Sequence, residues 1–126
     1  MQHNPFVWSE IYVQDMARAR KFYETVLAIK LEDHPVPADM QMEMVFFPSK
    51  MEAPGGGGAL VKMEGAPSGM GGTLAYFGSE DCAIEAARVE AAGGKIFKPK
   101  FSIGEYGAIA LCYDSEGNLF GLHSMK

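Results

Sequence analysis

Three histidines and two cysteines are the scarcest reactive side chains in this 126-residue chain, and their spacing limits what they can do. Cys82 and Cys112 lie far apart and form no C-x-x-C pair. A disulfide framework needs more cysteines and an extracellular setting. Cys82 stands near an expected helix start, where a thiol can be acidified, but no base accompanies it. Both cysteines therefore read as reduced, buried small hydrophobes. His3 and His34 fall in loop contexts and are given no role. Gly55-Gly56-Gly57-Gly58 is not a phosphate-binding loop, because no Gly-Lys-Ser/Thr follows. It reads as a hairpin loop, with a lid role left open, and Gly104-Glu105-Tyr106-Gly107 reads as a second rim. Asp114 to Asn118 lacks the frame and the bidentate Glu of a calcium-binding EF-hand loop. No Ser/His/Asp triad can be argued without geometry. Met40, Met42, Met44 and Phe46 alternate along one segment. Such a flexible, polarisable face suits an adaptable apolar pocket, core filling or a dimer contact.

The elements that must position these residues follow from periodicity and punctuation. Phe6 to Val13 reads as a strand with Val7, Ile11 and Val13 on one face and Trp8, Glu10 and Tyr12 on the other. Asp15 is a helix-capping residue, and Met16, Ala19, Tyr23, Val26 and Leu27 follow at helical spacing, giving a helix over about 16–27. Ile29 to Glu32 is a short strand, broken by Asp33-His34-Pro35-Val36-Pro37. Met40 to Phe47 and Ala59 to Met63 are further strands, and 65–72 is the most linker-like stretch. The order then repeats: strand Thr73 to Phe77, cap Asp81, helix Cys82 to Ala92, stop Gly93-Gly94, and strands at 95–98, 108–113 and 119–123. Asp114 to Asn118 is a tight turn with Gly117 able to take positive φ.

The two halves thus share one plan. Superposing Asp15 on Asp81 sets Trp8 over Leu74, Glu10 over Tyr76 and Ala28 over Gly94. The expected organisation is one domain over 1–126, with a first module at about 5–65, a linker at 65–72 and a second module at 73–126. Either module alone buries too little surface to stand comfortably. A net charge of −5 argues against a nucleic-acid partner held through its phosphates. With 48% hydrophobic and 21% charged residues, disorder and coiled coil are excluded as the main state. The N-terminal residues show no signal-peptide pattern and no apolar run is long enough to span a bilayer, so a cytoplasmic location is expected.

The run from Asp15 to Leu27 (D-M-A-R-A-R-K-F-Y-E-T-V-L) resembles the first helix of the vicinal oxygen chelate superfamily, which includes glyoxalase I, bleomycin-resistance proteins and extradiol dioxygenases. Asp81 through Gly93-Gly94-Lys95-Ile96 is similar to its second helix and following strand. Asp114 to Leu122 is similar to its C-terminal D-P-x-G-N turn and last strand. The resemblance spans nearly the whole chain. It implies an α+β fold of two βαβββ modules forming a partly closed, curved mixed sheet with a concave cavity and outer helices. It also implies a homodimer and, in the enzymes, a divalent metal that two substrate oxygens chelate. Two local departures stand out. Ala28 replaces the usual Gly after the first helix, so that turn is not expected to require positive φ. Ser115 replaces the turn proline.

The resemblance also places the metal ligands. The first, usually His, falls on Trp8, seven residues before Asp15, and its counterpart falls on Leu74. The last, usually Glu, falls on Gly121, and the fourth falls near Leu60 or Lys62. Indole nitrogen carries its hydrogen and offers no lone pair. The leading expectation is therefore binding of a small, partly apolar or aromatic molecule in the cavity, with no metal cofactor. Trp8, Glu10, Tyr12, Met42, Met44, Phe46, Tyr76, Tyr106 and His123 are the wall residues. One alternative is a glyoxalase-type lyase, isomerase or dioxygenase using Zn, Ni, Mn or Fe at a shifted site, with Glu10 and His123 as ligands or proton-transfer groups. Another is a dimeric interaction module whose cavity has closed.

Overall fold

The computed structural model describes residues 3–126. The described chain divides into two compact units, one of Trp8–Thr73 and one of Leu74–Lys126 together with residues 3–7.

In the first unit the order is β1 (Phe6–Tyr12), α1 (Met16–Leu27), β2 (Glu32–His34), β3 (Met42–Phe46) and β4 (Gly57–Met63). The strands lie in the order β2-β3-β4-β1, with β1 parallel to β4 and the other pairs antiparallel. Asp15 starts α1 by accepting the Arg18 backbone N–H at 3.0 Å. Ile11 and Val13 from β1 and its end, Leu31, Val45 and Leu60 pack against Met16, Ala19 and Tyr23 of the helix. The odd-numbered face of β1 is thus the helix side, as its alternation predicts.

Four details of this unit differ from the sequence expectation. Ala28 closes α1 in the left-handed conformation at φ 54°, its N–H donating to the Glu24 carbonyl, so the turn does need positive φ. The second strand is Glu32–His34 rather than 29–32, and His34 lies in it. Ala38–Met40 forms a short 3-10 turn, which removes Met40 from the alternating stripe. Gly57 and Gly58 are part of β4, so half of the glycine run is strand and not hairpin loop.

The second unit repeats the plan with β5 (Thr73–Gly78), α2 (Cys82–Ala86), β6 (Lys95–Ser102), β7 (Ala108–Tyr113) and β8 (Leu119–Ser124). Its strands lie in the order β5-β8-β7-β6, β5 and β8 being parallel. Asp81 accepts the Ala83 N–H at 3.0 Å, and the buried Ser124 hydroxyl accepts the Cys82 N–H at 3.0 Å. Regular helix stops at Ala86, short of the expected Ala92. Beyond it, Arg88 and Val89 bond three residues back to Glu85 and Ala86, and these tighter turns accompany packing of Val89 on the core of Cys82, Ala108, Ala110, Cys112 and Leu122. Gly93 then takes φ 102° as expected. Residues 5–7 pack here too: Gly78 N–H donates to the Pro5 carbonyl at 3.0 Å, and the Phe6 and Phe77 rings lie 4.9 Å apart. The fold class is α+β, with a βαβββ order in each half.

Candidate functional site

On the helix-free face of the first unit, β1 presents Trp8, Glu10 and Tyr12 in succession, because residues two apart share a side. The three are wired together. Trp8 Nε1–H donates to Glu10 Oε2 at 3.1 Å, and the Tyr12 hydroxyl donates to Glu10 Oε1 at 2.8 Å. The Trp8 ring crosses β4 to meet Phe46 edge-on at 5.1 Å. Gly57 is what lets it do so: a Cβ there would sit 3.0 Å from the indole. His34 stacks flat on Phe46, with centroids 4.1 Å apart. Ala59 and Val61, on β4 beside Glu10 and Tyr12, are fully buried, while Trp8, Glu10, Tyr12, Met44 and Phe46 are half-buried. An aromatic layer with one carboxylate therefore covers this part of the sheet.

Met42 lies on the same strand and face as Met44 and Phe46, toward the Met63 end of β4. It lines an open depression of about 400 Å³ with Gln14, Gln41, Glu43, Lys62 and Met63. Lys62 pairs there with Glu43 at 3.8 Å, an exposed contact of little energetic weight.

In the second unit, the remaining sequence-named residues meet along β8. Tyr76 stands opposite Gly121, and its ring occupies the space a Gly121 side chain would take. His123 Nε2–H donates to the Tyr106 carbonyl at 2.6 Å, which makes Nε2 the donor and orients the ring. Gly104–Tyr106 is a 3-10 turn, closed by Ile103 N–H donating to Gly107. Cys82 and Cys112 are free and buried, and burial pushes the Cys112 thiol up. That is the environment of inert cysteines. His34 is the functional-looking residue that sequence reading passed over. Pro35 held the signal, since the residue before proline is driven into extended conformation.

A profile of the Glyoxalase/Bleomycin resistance protein/Dioxygenase superfamily matches residues 5–122. The chain belongs to this superfamily. Among curated proteins, CFP32 of Mycobacterium bovis and of Mycobacterium tuberculosis, each provisionally named a glyoxylase, is 26% identical over 116 residues. Those residues are 91% of this chain and 43% of the relative, so the chain spans less than half the length of the relatives it matches. Solved structures share the fold. Methylmalonyl-CoA epimerase from Mycobacterium tuberculosis matches at TM-score 0.69 and 15% identity, over 97% of this chain and 88% of its own. The Streptomyces coelicolor methylmalonyl-CoA epimerase in complex with 2-nitronate-propionyl-CoA matches at 0.68 and 16%, over 96% of each chain. A hypothetical protein from Bacillus halodurans matches at 0.71 and 15%, over 96% and 94%.

Members of the superfamily that use a divalent metal hold it with His, Glu or Gln side chains. At the positions that the resemblance assigns to those ligands, the side chains present supply no such donor. Trp8 offers only an N–H, already given to Glu10. Leu74 is buried and has no donor atom. Gly121 lies under the Tyr76 ring. Leu60 points into the helix-side core. Among the described residues no group of three or more His, Cys, Asp or Glu is placed to hold a metal ion. No helix among them is long and apolar enough to cross a membrane.

Proposed function

We propose that this superfamily member binds a small, partly aromatic organic molecule through the Trp8–Glu10–Tyr12–Phe46 face, without a divalent metal at the superfamily's usual positions. One observation carries the reading. The residue at the first ligand position is an indole that spans β4 to Phe46 and gives its N–H to Glu10. That arrangement supplies a stacking surface and a fixed polar group, which is how small-molecule sites combine affinity with orientation. Met44 and the ring of His34 extend the apolar surface, and Tyr76, Tyr106 and His123 are proposed as binding residues of the second unit on its own face. On the same reading the molecule is a single-domain, cytosolic homodimer. Its net charge of −5 supports a small-molecule partner over nucleic acid.

Trp8 is the sole tryptophan, so its emission reports the site directly. Screening aromatic metabolites, aromatic antibiotics and acyl-CoA thioesters by Trp8 fluorescence and thermal shift should yield at least one saturable ligand that raises Tm. The reading fails if no compound perturbs Trp8. It also fails if purified untagged protein carries stoichiometric Zn, Ni, Mn or Fe.

A further inference from the structure

Among the described residues Glu10 has two neutral hydrogen-bond partners and no cationic one. Both of its oxygens accept a hydrogen bond, one from indole and one from phenol. Ion pairs among the described residues engage Glu24, Asp33, Glu43 and Asp81, and none engages Glu10. A half-buried carboxylate loses water on one side, and neutral donors offset that loss only in part. A carboxylate also has about four lone-pair positions, of which the described residues use two. The two partners come from the same strand, at the residues on either side, so the carboxylate is held in place before any ligand arrives. Alongside it lies the half-buried indole of Trp8, the type of side chain that attracts cations most strongly.

Resting on the proposed binding function, we infer that the ligand of this face is an organic cation: a protonated amine on an aromatic or apolar body. Its ammonium N–H groups donate to the free lone pairs of Glu10, and its body lies on the rings of Trp8 and Phe46. Tyr12 and Trp8 position the carboxylate. Anionic ligands of the same shape are rejected by the same charge.

The test uses three probes with one ring: benzylammonium, benzyl alcohol and benzoate. Each is titrated into the full-length protein and followed by Trp8 emission and calorimetry. The ammonium should bind at least about tenfold more tightly than the alcohol and weaken as salt rises, and benzoate should give no saturable signal. Glu10→Gln should bring the ammonium down to about the level of the alcohol while weakening the alcohol far less, with a retained thermal transition showing that the variant folds. Tyr12→Phe keeps the charge but frees one oxygen, and should weaken the ammonium only a few-fold, so the inference is tested even if Glu10→Gln fails to fold. Equal binding of ammonium and alcohol, or preference for benzoate or a CoA thioester, overturns the cation assignment while leaving the aromatic binding site standing. No binding of any probe, together with an empty ligand screen, overturns both.

Discussion

Gly121→Ala is the sharpest probe of how the second unit has been rebuilt. The Tyr76 ring fills the volume where a Gly121 side chain would stand, and Tyr76 is only 6% exposed. A methyl group at Gly121 must push that ring off its position inside a packed sheet face. Overpacking of this kind costs about 1–3 kcal/mol. For a chain of this length each kcal/mol lowers Tm by roughly 4 °C. The expected fall is therefore about 4–12 °C, with a matching loss in urea-unfolding free energy. Removing the ring should remove the penalty. Tyr76→Ala is itself destabilising, by about 3–5 kcal/mol, but Gly121→Ala added to it should be near neutral, because the new methyl enters vacated space. The double-mutant cycle should show a coupling of about 1–3 kcal/mol. An unchanged Tm for Gly121→Ala, or the same penalty with and without the Tyr76 ring, would refute the account of why glycine stands there.

Three further outcomes follow from local geometry. Ala28→Gly should stabilise by about 0.5–1 kcal/mol in urea unfolding, because Ala28 holds φ 54° where glycine is unstrained; destabilisation would show the strain to be absent. Asp81 is held low by its Lys100 ion pair and the Ala83 N–H, and Asp114 by the Asn118 and Glu116 N–H groups and the Asn118 amide. A depressed carboxylate stabilises above its unfolded-state value near 4 and loses that contribution as pH falls through its folded value. Thermal melts should therefore drop below about pH 4, and Asp81→Asn with Asp114→Asn should flatten that drop while lowering Tm at pH 7. Cys82 and Cys112 should react with a thiol reagent only as fast as the protein opens; rapid labelling of the folded protein would contradict their burial.

Local signals with a single physical cause were legible in the sequence. Asp15, Asp81 and Gly93 punctuate the helices as expected, because capping depends only on neighbours. The span of α1 and the strand at 108–113 follow from periodicity alone. The Trp8/Glu10/Tyr12 face was legible too, since strand alternation fixes it. What escaped depended on contacts distant in sequence. Gly57 is glycine because an indole from β1 passes over it, and nothing within the run Gly55–Gly58 reveals that. The early end of α2 accompanies packing of Val89 on β-strand residues, against a strongly helix-favouring alanine-rich sequence. The Glu10 hydrogen bonds were within reach of reasoning, as both donors lie two residues away, but their direction required coordinates.

The grouping of residues 5–7 with the second unit bears on how such a chain can be divided. The glycine-rich segment at 65–72 looks like the place to cut, yet a fragment beginning at Leu74 would leave Phe77 without Phe6 and the Gly78 N–H without its Pro5 acceptor. The gene's two halves are therefore not its two separable parts. A standalone second half would need the opening strand residues grafted back, and a circular permutant that joins Lys126 to the native N-terminus and opens within 65–72 would keep them. The repeat seen in the element order therefore does not mark where the chain can be cut, because its opening strand residues pack with the far half.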